Sequence, residues 1–374
     1  MFATAVSFFA ALFGQGEAPR GTSMAEANRC AAVTVRDGRV VEAGLYRRMV
    51  GFAAEAGTSG GLGRRQILVW QTEDGEQPGT LRHAVETAAR SGGGWISFAP
   101  ALAGKTVQVG QQLRLGPNLT IDGGCVGPRI VGVGPGALFN LRGVSNVVLS
   151  RLSMTQTGAL ADGDCVTVSQ GADRIWIAHN QIRSCGDGLV DVTRPAGRTM
   201  RVTISGNDFR DHDKAILIAG EPGSNFCSGP PAVRVTLFRN SFLGTVQRHP
   251  RVSGAAFVHA AQNRIRSARQ RMPDGSLRGS SGIGAGEGGR VLAEDLLFEP
   301  EGGPKRLRAV SLLPEPDGPP CQRSAVRLER TSGPDRADSV RPELVGGVPY
   351  RLPPSPPPGQ LARLLDAETG PQVP

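Results

Sequence analysis

The chain has 374 residues, and its 52 Gly and 28 Pro make up about a fifth of it, short of the roughly one quarter that marks a low-complexity disordered chain. At 39% hydrophobic it can bury one large core or two ordinary ones; 18 aromatics (13 Phe, 3 Trp, 2 Tyr) and abundant glycine argue against a helical bundle and for short strands with tight turns. Lys and Arg total 42 against 33 Asp and Glu, so the net charge of +9 favours a polyanionic partner: nucleic acid, an acidic membrane face or an acidic polysaccharide.

Residues 1–45 read as an N-terminal tail with a candidate signal segment. The apolar run from Phe2 to Phe13 is about twelve residues, against the about twenty of a spanning helix, so no membrane association is expected. It suits the core of a secretory signal, although no Lys or Arg precedes it and no clear small-x-small site follows. Six cysteines without CxxC spacing argue against zinc and permit disulfides, which favours a secreted protein.

Residues 46–300 carry the repeating pattern. Thr80 to Arg90 reads as a short helix, with Leu81, Ala84, Val85 and Ala88 on one face, suited to capping the end of an open solenoid. Apolar and β-branched triplets then recur at Leu119-Thr120-Ile121, Val147-Val148-Leu149, Ile175-Trp176-Ile177, Val202-Thr203-Ile204 and Val235-Thr236-Leu237, in steps of 28, 28, 27 and 33 residues. With further strand-like runs between them, three short strands per unit predict an all-β parallel β-helix. Asn118, Asn146, Asn207 and Asn240 recur near the triplets, either as a hydrogen-bonded ladder or as ordinary turn residues. Residues 301–374 read as a Pro-rich C-terminal wrap or tail, with nine prolines after residue 340.

Charge is unevenly spread over the solenoid. Between 162 and 191, Asp162, Asp164, Asp173, Asp187 and Asp191 outnumber Arg174 and Arg183; between 194 and 251 nine cations face four acids. Coils stack at about 4.8 Å, so an acidic patch adjoins a basic one. Carboxylates gathered without Cys or His suit Ca²⁺, whose oxygen ligands lie at about 2.3–2.6 Å. Asp164 and Asp187 precede corresponding strands, and Gly186 and Gly188 could bend the chain to bring Asp191 within reach; taken alone, these are equally the aspartates of turns. Four of the five histidines (His179, His212, His249, His259) fall in the same stretch, and Lys214 is one of three lysines against 39 arginines.

At these residues the sequence resembles the pectate lyases of polysaccharide lyase family one. The resemblance runs from about Gly51 to Phe298 in family order: GFAAEAGTSGG from Gly51, GTLRHAV from Gly79, NLTIDG from Asn118, DGDCVTV from Asp162, IWIAHN from Ile175, DGLVDVT from Asp187, VTISGNDFRDHDKAILIAG from Val202, VTLFRNSF from Val235, QRHPR from Gln247 and VHAAQN from Val258. It implies a right-handed single-stranded parallel β-helix that binds Ca²⁺ through Asp164, Asp187 and Asp191, with Asp162 as an additional ligand. It implies further that Arg248 abstracts a proton, that Lys214 binds a substrate carboxylate, and that Arg251 and His212 help hold substrate. The reaction implied is β-elimination of polygalacturonate by a secreted monomer whose partner is an acidic polysaccharide and not nucleic acid.

An arginine base is at odds with an ordinary pKa of about 12.5, and elementary acid–base chemistry prefers the neighbouring His249. Two positions depart from the family pattern: Ser253 stands where a second substrate-binding arginine is usual, and Ala178 where an aspartate is usual. A Ca²⁺-independent pectin lyase and a catalytically weakened β-helix that only binds acidic glycans are the alternatives. The basic stretch lacks the interleaved aromatics of a single-strand nucleic-acid surface.

Overall fold

The computed structural model describes residues 25, 28–29, 32–157, 163–268, 270–271, 277–278, 280–299, 307–315, 317–333 and 339–371. The apolar run near the N-terminus and Asp162 lie outside the described residues.

Three parallel sheets wind around one core. Among the described residues, sheet 1 has ten strands from Gln66–Val69 to Ala325–Glu329, sheet 2 has eight from Thr106–Val109 to Leu297–Phe298, and sheet 3 has eight from Leu113–Arg114 to Leu307–Leu312. The strands of each sheet stack in chain order, one per coil, which is a parallel β-helix. The sequence triplets are rungs of sheet 1 in register: Leu119 pairs with Val147, Val147 with Ile175, Ile175 with Val202, and Val202 with Val235. Their first and third residues point inward and join a single apolar cluster running the length of the helix.

The middle residues of the triplets point outward, yet they are buried too, because the N-terminal segment lies over them. Thr120, Thr203 and Thr236 accept hydrogen bonds from the backbone N–H of Gly61 (2.8 Å), Ala53 (3.0 Å) and Phe52 (3.1 Å). The capping helix spans Leu81–Arg90, with Thr80 Oγ1 accepting from His83 N at 3.2 Å. Its buried face is Leu81, Ala84, Val85 and Ala88, and it packs on the first strands of all three sheets.

The asparagines divide into two groups. The buried ladder is Asn180, Asn207, Asn240 and Asn263, each donating its Nδ2 to the next Oδ1 at 2.9–3.0 Å, while Asn118 and Asn146 pair separately before their triplets. The expectation grouped residues that precede the sheet 1 strand with residues that follow it, two different corners of the coil.

The sheets also run past residue 300, since Leu307–Leu312 and Ala325–Glu329 add strands to sheets 3 and 1. Beyond them the chain returns along the solenoid. Tyr350 bonds Thr236 (2.6 Å) and His259 (3.0 Å), and the helix Pro358–Glu368 buries Leu361 and Leu365 against Leu297. The disulfide Cys165–Cys185 ties successive coils, Cys227–Cys321 joins the loop before Val233–Phe238 to the loop before Ala325–Glu329, and Cys125 is also disulfide-bonded. Among the described residues no helix is long and apolar enough to cross a membrane.

Candidate active site

The acidic and basic stretches meet on sheet 3, where the strands Val166–Ser169, Gly188–Thr193, Lys214–Ala219 and Arg251–Ser253 are consecutive. Val190 and Val192 point into the core, so Asp191 between them faces outward. On the preceding coil, Asp164 accepts from Thr167 Oγ1 at 2.7 Å and from Gly188 N at 2.8 Å. The Cys165–Cys185 bridge fastens that coil to the loop that carries Asp187.

Gly188 provides space rather than a bend. A Cβ there would lie 2.7 Å from Asp191 Oδ1 and 2.9 Å from Asp164 Oδ1, and the residue opens the strand without a positive φ. The two carboxylates are therefore crowded in a partly desolvated cleft. Burial pushes the Asp191 carboxyl up to about 8, with the Asp164 charge adding to the shift. Asp164 is also raised, again first by burial, while its two hydrogen bonds oppose the rise.

The cations come from the next two coils. Lys214 Nζ donates to the Asp187 carboxylate, and His212 Nε2 lies 2.5 Å from the Asp187 carbonyl oxygen. Lys214 faces Gln247 and Leu217 faces Arg251, so three steps on one strand are matched by four on the other. This one-residue bulge contains Arg248, whose φ of 65° is in the left-handed region. It turns the guanidinium toward the acids: Arg248 Nη1 lies 3.8 Å from Asp191 Oδ1, and both atoms are buried without a hydrogen-bond partner.

The same bulge sends His249 the other way. It is 2% exposed, its Nε2 meets Thr245 Oγ1 at 2.7 Å and its Nδ1 meets the Ser281 carbonyl at 2.7 Å. Burial pushes its pKa down to about 4. The base preferred on acid–base grounds is a core histidine with both nitrogens occupied.

Arg251 is exposed and two coils from Asp191 along the row Asp191–Leu217–Arg251, so it lies on the same face without joining the carboxylates. Ser253 faces out two residues further along, past the core residue Val252. Ala178 is far from this face, buried on sheet 1 among Leu45, Ala53 and Trp176, so its departure from the family pattern does not touch the cleft. Thr167, which donates to Asp164, was not singled out by the sequence pattern; Gly188 was, through its place between two aspartates, but for bending instead of room.

Whether these residues suit a divalent cation turns on the donor set. Asp164 and Asp191 fit: hard oxygens, raised pKa values, an orphan oxygen on Asp191 and a missing Cβ beside it. Asp187 is held by Lys214, and among the described residues no three His, Cys, Asp or Glu side chains form a group that could hold a metal ion.

Residues 129–305 match the family model described as pectate lyase. Among curated relatives, a probable pectate lyase 4 of Arabidopsis thaliana is 34% identical over 191 residues, covering 50% of this chain and 47% of its own, and pectate lyase 1 of Chamaecyparis obtusa is 32% identical over 235 residues, covering 57% and 58%. The chain thus spans about half the length of the curated relatives it matches. Among solved structures, the cedar pollen allergen jun a 1 aligns at TM-score 0.60 and 20% identity over 92% of this chain and 98% of its own. A pectate lyase of Bacillus sp. N165 in complex with trigalacturonate aligns at TM-score 0.54 and 19% identity over 86% and 98%. By family model and curated relatives, residues 129–305 are similar to the pectate lyases, and the parallel β-helix fold agrees with that likeness.

Proposed function

We propose that the protein is a secreted polysaccharide lyase that cleaves polygalacturonate by Ca²⁺-assisted β-elimination, leaving a 4,5-unsaturated uronate end. The observation that carries this reading is the orphaned pair of Arg248 Nη1 and Asp191 Oδ1, two buried polar atoms that face each other across 3.8 Å with no hydrogen bond to either. Buried groups left unpaired cost about 1–3 kcal/mol each, more when charged, and their retention is expected where a ligand completes them.

In the proposed reaction Arg248 takes the C5 proton. The C5–H electrons form the C4=C5 double bond as the C4–O4 bond breaks, the departing O4 takes a proton from solvent, and Arg248 returns its proton to solvent. Lys214 exchanges Asp187 for the substrate carboxylate, whose negative charge must be masked before C5 can release its proton. His212 anchors the loop that carries Asp187 through its carbonyl oxygen. Asp164 and Asp191, with Asp187 once Lys214 has left it and Asp162 as a further candidate, are the residues that would hold Ca²⁺. A bound Ca²⁺ supplies charge neutralisation at the substrate carboxylate. Arg251, two coils on, suits a neighbouring uronate of the same polymer. The disulfides support an oxidising, extracytoplasmic location.

The test is an assay of polygalacturonate for unsaturated ends by ultraviolet absorbance, with added Ca²⁺ and with chelator. Activity with Ca²⁺ and none in chelator is expected. Equal rates would remove the cation from the proposal, and faster cleavage of highly esterified pectin would replace the substrate.

A further inference from the structure

The N-terminal ribbon carries a second concentration of positive charge, outside the cleft. Its strands Val33–Arg36 and Arg39–Ala43 are joined by Asp37-Gly38, with φ of 50° and 69°, the pair of positive values that a tight two-residue hairpin turn needs. The ribbon then docks on the edge of sheet 1: Gln66 N donates to Gly38 O at 2.9 Å, and Val40 N to Arg64 O at 3.0 Å. One face of it, with Val33, Val35, Val40 and Ala43, packs on Trp95.

The other face aligns like charges. Arg36 is directly opposite Arg39, and Arg39 is directly opposite Arg65 on the next strand. Residues directly opposed in antiparallel strands project from the same face, so three exposed guanidinium groups stand side by side at a strand spacing of about 4.8 Å. Like charges so placed destabilise a sheet. No carboxylate offsets them among the described residues: none of the three forms an ion pair, Arg39 donates to the Gly63 carbonyl (3.1 Å), and Glu42 on the same ribbon is taken by Arg47 (3.3 Å). Asp37, in the turn, is the remaining acid of the ribbon.

We propose that this arginine row is a non-catalytic binding surface for a polyuronate, which anchors the enzyme to its polymer at a site separate from the cleft. A row of cations at regular spacing matches a chain with one carboxylate per sugar ring, and the guanidinium fork matches each carboxylate. The exposed face, Thr34, Arg36, Arg39, Val41 and Glu42, has no aromatic side chain on which bases could stack and a single large apolar one, which disfavours single-stranded nucleic acid and a membrane surface. The identity of the polyanion rests on the proposed lyase activity.

The experiment measures binding of the full-length protein to polygalacturonate in chelator at low salt, for the parent, for Arg36→Gln/Arg39→Gln/Arg65→Gln, and for Arg36→Gln/Arg65→Gln, which keeps the Arg39 bond to Gly63. Thermal unfolding confirms that each is folded. The triple variant should bind about tenfold more weakly, the combined worth of three exposed ion pairs, and the double variant should fall between it and the parent. Turnover of trigalacturonate, too short to reach both sites, should be unchanged. Parent-like polymer binding by both variants, or a loss confined to duplex DNA or anionic vesicles, overturns the proposal. A parent that binds the polymer through this row but never cleaves it would sink the lyase reading and leave the anchor standing.

Discussion

The Asn180–Asn207–Asn240–Asn263 stack and the Asp164–Asp191–Arg248 cluster are both columns of polar side chains on successive coils, and both are largely buried. In the first, Asn180, Asn207 and Asn240 each donate both the side-chain amide and the backbone N–H to the next asparagine's Oδ1 at 2.9–3.0 Å, and Asn263 closes the column by donating to the Leu237 and Ala261 carbonyls. In the second, a carboxylate oxygen and a guanidinium nitrogen face each other at 3.8 Å with no hydrogen bond to either. A closed network stabilises the fold because nothing in it is left desolvated and alone. An open one lowers stability and leaves polar atoms for a ligand to complete, so under the proposed function the two columns separate scaffold from candidate site.

The most damaging way to break this contrast is to open the closed column. Asn207→Ala removes the acceptor of the Asn180 N–H and of one of its amide hydrogens, and the side-chain donor to the Ile177 carbonyl, and should cost about 3–5 kcal/mol of unfolding free energy, read by urea denaturation. Asn118→Ala, at a half-buried asparagine with a left-handed φ of 53° that bonds Gly92 O and Asn146, should cost about 1–2 kcal/mol. Equal effects would contradict the distinction.

A second test uses pH. His179 and His249 are both pushed by burial from 6.5 to about 4, so the unfolded chain binds protons more readily than the folded one between those values. Stability should therefore be full above about pH 6.5 and decline toward pH 4, by on the order of 2–3 kcal/mol per histidine. His249→Gln should make that slope shallower; a flat profile in the parent would contradict the burial of both rings.

The smallest effect has the opposite sign. The Asp191 carboxyl is raised to about 8, so its ionisation burdens the folded state as pH rises through that value. In chelator at pH 9, Asp191→Asn should raise Tm by roughly 2–4 °C, while removing any rise in Tm on adding Ca²⁺. A lower Tm would mean that Asp191 is a structural group and not an unfilled one.

Much of the scaffold was legible in the sequence because its cause is local. Leu119, Val147, Ile175, Val202 and Val235 repeat at the coil length, and inward alternation puts them in register. The capping helix announced itself through Thr80 and a four-residue apolar face. The asparagine ladder was misgrouped because spacing alone does not say which corner of a coil a residue occupies. The burial of His249 could not be read from the sequence for a related reason: strand alternation assigns directions only where register is regular, and the bulge between Gln247 and Arg251 breaks it. The strands Leu307–Leu312 and Ala325–Glu329 were hidden because Gly and Pro around them mask the rhythm that pairing with the preceding coils restores.

The central claim is that the bulge turns Arg248 onto the chemistry and His249 away from it, and the most direct measurement is turnover of polygalacturonate by Arg248→Lys beside His249→Gln, with Ca²⁺ affinity recorded for both. Arg248→Lys should lose about 10² to 10⁴ of the parent rate with Ca²⁺ affinity nearly unchanged, as expected for removal of a general base. His249→Gln should keep its turnover per folded molecule. Loss of turnover in His249→Gln with an active Arg248→Lys would contradict the account and make the histidine the base.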